Sequence, residues 1–387
     1  MRRSIAGRPP ATHPETFKQA ALDSQLWVGT SDEVRFVVTG ESALAWGISL
    51  AVLSGLMNGV FTLPMRFLGR WTWENVWALF ILVSCVLMPM GMAFVTVSGF
   101  GDLLRLAPTR VIVFAAVAGF AWGFGAIMFG QGVSAIGISM ANTLVLAISS
   151  SLGSFLPLLI LAPERLLQPQ GGAIVLGTVV AILGICACGY AGFVRERSEE
   201  SQDAKKVRGD MVGQARPFWV GLLLCTGAGL LSAVFNIGYS SAQELIAVAT
   251  RLGNSPFAGS NLVWLLMLTS GAVANLAFCA YLFRKNRSWT KYSYQNVSPL
   301  YALAILMGLL WGGSIFVYGA AAPRLGRLGP AIGWPLSLTM GLLTANLCGM
   351  LTGEWKLSRR KERVWMLVGL AILLVAILTL GWSSTLA

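Results

Sequence analysis

The chain has 387 residues, of which 11% are Asp, Glu, Lys or Arg and 56% are apolar, whereas an ordinary soluble domain covers its surface with about 25% charged residues. So little charge excludes a soluble fold of this length and makes the lipid bilayer the natural solvent. The net charge of +12 does not signal a nucleic-acid partner, because the cations fall in clusters between long uncharged windows rather than on one basic face.

Residues 1–41 are polar, carry five basic and five acidic side chains and contain no apolar stretch before Leu44. They hold no secretory signal and are expected to form a disordered tail. Nine uncharged windows follow, at 42–65, 75–101, 111–163, 166–194, 217–243, 252–283, 292–323, 328–353 and 364–387. A helix crossing about 30 Å of hydrocarbon needs roughly 20 residues. Eight windows therefore hold one span each, and 111–163 holds two with a break near Gly132 to Gly137. The predicted fold is an all-α polytopic membrane protein of ten transmembrane helices. Pro89, Pro157 and Pro335 fall inside spans 2, 4 and 9, where each removes a backbone hydrogen bond and can kink its helix. The six cysteines all lie in apolar windows with no metal or disulfide spacing, and read as small packing residues.

The loops after odd-numbered spans carry 17 of the 28 Lys and Arg residues and the alternate loops six. By the positive-inside rule the richer set is cytoplasmic, which puts both termini outside. Residues 195–216, rich in both signs of charge, are expected to be a cytoplasmic linker between 42–194 and 217–387.

Those two segments resemble each other. Gly119-Phe-Ala-Trp122-Gly123 returns as Gly308-Leu-Leu-Trp311-Gly312, shifted by 189, and Glu164 meets Glu354 at 190. Ser54-Gly-Leu-Met-Asn58 returns as Ser232-Ala-Val-Phe-Asn236, shifted by 178. Matches of Trp, Glu and Asn in order at nearly constant spacing mark an internal repeat. A five-span unit has an odd number of crossings, so its second copy enters from the opposite face, giving two inverted five-helix repeats, an architecture of secondary transporters.

Several of these residues carry a family likeness. Trp71-x-Trp73-Glu74-x-x-Trp77, Ser54-Gly-x-x-Asn58, the Gly-x-x-Trp-Gly of span 3, Gly137-x-Ser139-Met140, Asn275-Leu-x-Phe-Cys279 and Glu354-Trp355 together resemble the L-rhamnose–proton symporter family of the drug/metabolite transporter superfamily. The likeness runs from about Ala43 to Leu380. It implies uptake of L-rhamnose or a related deoxy sugar by proton symport across the bacterial inner membrane, with sugar and protons as partners and no cofactor beyond the coupling proton. Whether the carrier works as a homodimer is left open.

A neutral sugar needs paired hydrogen-bonding groups for its hydroxyls and a flat apolar surface for its ring. Asn58 and Asn236, at equivalent places in the two repeats, suit the first need, each preceded by a serine on the same helix face. Trp122 and Trp311 suit the second, and Gln131 and Asn275 are further polar residues within spans. The same residues also have a structural reading, since intramembrane Asn commonly joins helices and Gly-x-x-x-Gly lets them approach closely. A proton carrier must titrate while facing the pathway. The one histidine is in the tail, which leaves Glu354, Glu244 and Glu74, none of them in the middle of a span.

An enzyme is not expected, because the spans hold no nucleophile–base pair, paired carboxylates or metal cluster. An exporter or facilitator of another small metabolite is the nearest alternative, and a non-transporting sensor or scaffold lies outside that class.

Overall fold

A computed structural model of the protein describes residues 30–136, 138–161, 163–198, 217–326, 328–351, 355 and 358–386. Among the described residues every regular element is helical, and ten helices are long and apolar enough to cross a membrane. They are α1 (Thr30–Val60), α2 (Trp73–Thr96), α3 (Thr109–Ile136), α4 (Ile138–Leu161), α5 (Pro169–Ser198), α6 (Phe218–Ser241), α7 (Pro256–Asn286), α8 (Ser298–Ala321), α9 (Gly329–Leu351) and α10 (Arg360–Ser383). Every span expected from the charge-free windows is present, and 111–163 is split between Ile136 and Ile138. α1 starts at Thr30, and 1–29 of the expected tail lies outside the described residues. Trp46–Ala387 forms one unit. The stretch 199–216, which holds most of the predicted linker, lies outside the described residues.

The prolines act locally. Pro157 and Pro335 sit within α4 and α9. In α2 the turn before Pro89 widens into a π-helical segment, Leu82–Leu87. A proline cannot donate to the carbonyl one turn back, and a one-residue bulge absorbs that defect.

Two glycine pairs set the helix spacing around the centre. A Cβ on Gly119 would strike the Met267 backbone of α7, and one on Gly123 the Gly271 carbonyl. On the other side, a Cβ on Gly308 would lie 2.7 Å from Cβ of Val83 in α2, and one on Gly312 3.2 Å from Cα of Ser84. Only residues without side chains allow such approach, so the repeated Gly-x-x-Trp-Gly seats α3 on α7 and α8 on α2. Two serine pairs complete the frame, Ser54 of α1 with Ser337 of α9 and Ser149 of α4 with Ser232 of α6, each 2.9 Å oxygen to oxygen. Cys85, Cys188, Cys225 and Cys279 are buried as expected of packing residues, while Cys186 is exposed on α5.

Candidate functional site

Between these helices lies a cavity of about 120 Å³, roomy enough for about four waters or one small ring. Its lining combines polar and aromatic residues. Ser54 and Asn58 of α1, Ser314 of α8 and Ser337 of α9 are polar, while Trp122, Phe235, Trp311, Tyr318 and Trp334 are aromatic. Ser232, Ile315 and Leu338 complete the lining, which contains no charged residue among the described ones.

The glycine contacts explain where the tryptophans go. With α3 and α8 pulled against their neighbours, Trp122 and Trp311 meet in a stack, 5.2 Å between centroids and 13° between planes. Phe235 tilts against Trp122 at 5.0 Å, and Trp334 stands edge-on to Tyr318 at 5.6 Å. The Trp334 indole N–H donates to Ser149 Oγ at 3.2 Å, which fixes that ring. Among the polar residues Ser54 Oγ donates to the Ser314 carbonyl at 2.8 Å while pairing with Ser337. Among the described residues the cavity therefore combines aromatic rings with neutral hydrogen-bonding groups and carries no counter-charge, which suits an uncharged, hydroxylated solute.

The two asparagines at equivalent places behave differently. Asn58 lines the cavity, and a Cβ on Gly341 would lie 3.2 Å from its Nδ2. Asn236 is fully buried and bound on every side. Its Nδ2 donates to the Gly153 carbonyl of α4 at 2.7 Å and to the Pro330 carbonyl of α9 at 3.2 Å. Its Oδ1 accepts from the Tyr318 hydroxyl at 2.8 Å. Asn275 is also buried, donating to the Gly123 and Gly271 carbonyls and accepting from the Trp77 indole at 2.9 Å. It joins α2, α3 and α7 away from the cavity lining. Gln131 is buried nine residues beyond Trp122 on α3, about 13 Å along the axis, and does not line the cavity.

The acidic candidates also separate. Glu244 is exposed and pairs with Arg110 at 3.1 Å. Glu354 lies outside the described residues. Glu74, in the first turn of α2, is only 2% exposed and accepts from Asn286 Nδ2 at 3.0 Å and Ser288 Oγ at 2.5 Å. No cation reaches it among the described residues, and neither Glu74 nor Glu244 lines the cavity. Among the described residues no group of His, Cys, Asp and Glu could hold a metal ion.

The family model described as L-rhamnose-proton symport protein matches residues 41–384. The chain belongs to that family. It is a membrane transporter and not an enzyme. Relatives named L-rhamnose-proton symporter include one from Yersinia pestis (strain Pestoides F), 25% identical over 355 residues, which cover 89% of this chain and 99% of that protein. Another, from Mannheimia succiniciproducens, is 26% identical over 337 residues, covering 84% and 94%.

Several cavity residues of this symport-family chain were not singled out in the sequence. Phe235 stands three residues after Ser232 on α6, and Ser337 lies at the repeat offset from Ser149, so both were open to detection. Ser314, Ile315 and Leu338 carry no such signal, and Trp334 was notable only beside Pro335.

Proposed function

We propose that this protein takes up L-rhamnose or a closely related deoxy sugar together with protons across the bacterial inner membrane. The observation that carries the proposal is the mid-helix cavity, lined by stacked indoles and by an Asn58 amide that, among the described residues, has no protein hydrogen bond and no charged neighbour in the wall. The names of the relatives supply the sugar and the proton. Asn58, Trp122 and Trp311 bind the solute. Among the acidic residues we assign the proton to Glu74, which is buried and, among the described residues, held by the neutral donors Asn286 and Ser288 rather than by a cation.

In this reading 42–194 and 217–387 are inverted repeats of the drug/metabolite transporter kind, joined by 195–216, which exchange inward-open and outward-open forms by alternating access. Paired contacts support it. Ser54 and Ser232 are related by the repeat offset of 178, Ser149 and Ser337 by 188, and each Ser pair joins one member from each half. The glycine seats of α3 on α7 and of α8 on α2 are the same contact made twice.

Proteoliposome uptake of labelled L-rhamnose tests the function. Accumulation driven by an inward proton gradient and lost with a protonophore is expected. Equilibration without accumulation would identify a facilitator, which the uncharged lining would also serve. No uptake of any deoxy sugar would sink the assignment.

A further inference from the structure

Asn236 is not itself a lining residue, yet its three hydrogen bonds fix the polarity of one that is. Both protons of its Nδ2 are taken by the carbonyls of Gly153 and Pro330. An amide whose nitrogen faces two carbonyls cannot be flipped, so the remaining atom, Oδ1, is an acceptor. The Tyr318 hydroxyl must therefore spend its only proton on Asn236, 2.8 Å away. A hydroxyl has one donor and two acceptor lone pairs. With its proton committed, Tyr318 Oη has only acceptor capacity left for a solute in the cavity that Tyr318 lines.

We propose that Tyr318 is a specificity-determining residue that accepts a hydrogen bond from one solute hydroxyl, and that Asn236 is a positioning residue that enforces this polarity from behind it. The inference rests on the sugar reading above. It divides the roles of the two repeat-related asparagines. Asn58, in the cavity wall without a protein hydrogen bond among the described residues, meets the solute directly, while Asn236 acts through Tyr318. The division follows from the neighbour on α8. The position equivalent to Tyr318 in the first half is Phe129, which has no hydroxyl to be aimed.

A buried acceptor distinguishes a hydroxyl from groups of similar size that cannot donate. Fluorine in place of a hydroxyl keeps the size and removes the proton. The test is binding of L-rhamnose, and of analogues with each ring hydroxyl in turn replaced by fluorine, to the purified full-length protein by intrinsic fluorescence. In the wild type one fluoro analogue should bind roughly tenfold or more weakly than the parent sugar, the loss expected when a desolvated acceptor is left without a donor. In Tyr318→Phe that ratio should fall to about one, with L-rhamnose itself weakened by a similar factor. In Asn236→Ala the freed Tyr318 proton can turn to the solute, and the ratio should shrink in the same direction. A purely structural role for either residue would weaken all analogues equally. An undiminished ratio in Tyr318→Phe overturns the proposal. So does a wild-type protein that tolerates fluorine at every position, whether or not the variants fold. Failure of the parent sugar itself to bind would instead count against the sugar reading.

Discussion

Trp122 of α3 and Trp311 of α8 stack face to face, 5.2 Å apart and 13° from parallel, and together they line the cavity. Each is the tryptophan of a Gly-x-x-Trp-Gly whose glycines press its helix onto a neighbour, so the contact forms where the two copies of one motif meet. Stacked aromatic pairs contribute about 0.5–1.5 kcal/mol beyond their burial. Trp122→Ala or Trp311→Ala removes half of that pair and a face available to the sugar ring. The half-saturating sugar concentration should rise about tenfold or more, while Trp→Phe at either site should keep most of the affinity. Titration of L-rhamnose against initial uptake rate measures both, and an unchanged value in the alanine variants would take the indoles out of the site.

The asparagines should separate binding from stability. Asn58→Ala removes a cavity amide with no protein hydrogen bond among the described residues, so the unfolding temperature should hold while sugar affinity falls by roughly 2–12-fold, the equivalent of one neutral hydrogen bond. Asn236→Ala strands two buried carbonyls and the Tyr318 hydroxyl, and should destabilise the fold by about 1–3 kcal/mol. Thermal unfolding of the detergent-solubilised variants beside uptake tests this. Equal loss of stability in the two would contradict the asymmetry.

What could be read before the structure, and what could not, divides along the same physics. Hydropathy sets span length, so all ten helices were legible from the gaps between charges, and the repeated Gly-x-x-Trp-Gly marked Trp122 and Trp311 as candidates for the ring surface or for helix packing. The fate of Asn236 and Asn275 was not legible, because their partners are backbone carbonyls of Gly153, Pro330, Gly123 and Gly271, groups that every residue carries and no sequence pattern marks. Trp334 and Ser337 enter the cavity only because α9 crosses both α1 and α4, a tertiary arrangement with no local signature.

The glycine seats should respond in proportion to what a new methyl group meets. In Gly119→Ala it would meet the Met267 backbone, which cannot move without displacing α7, whereas in Gly313→Ala it would meet only the terminal methyl of Met57. Overpacking of a rigid contact costs about 1–3 kcal/mol or more. Gly119→Ala should therefore lower the unfolding temperature clearly, and Gly313→Ala should be near neutral as Met57 turns to another rotamer. A reversed order would mean that α3 and α7 are not in backbone contact.

Glu74 provides the sharpest separation of coupling from binding. It is outside the cavity lining, yet it ties the first turn of α2 to Asn286 and Ser288, where α7 ends and the chain turns toward α8. A proton taken up there changes the hydrogen bonds between α2 and that corner while leaving the sugar wall untouched. Glu74→Gln has the shape of the protonated acid and keeps an oxygen to accept from Ser288 and Asn286. It should bind sugar and exchange internal for external sugar in counterflow, a process that needs no net proton movement. Accumulation should disappear. With one proton per sugar, an outside pH one unit below the inside supports about tenfold accumulation, the equivalent of about 1.4 kcal/mol, and Glu74→Gln should remain at a ratio of about one. Loss of counterflow as well would mark a structural role. Wild-type accumulation would remove Glu74 from the proton path and make Glu354 the residue to substitute next.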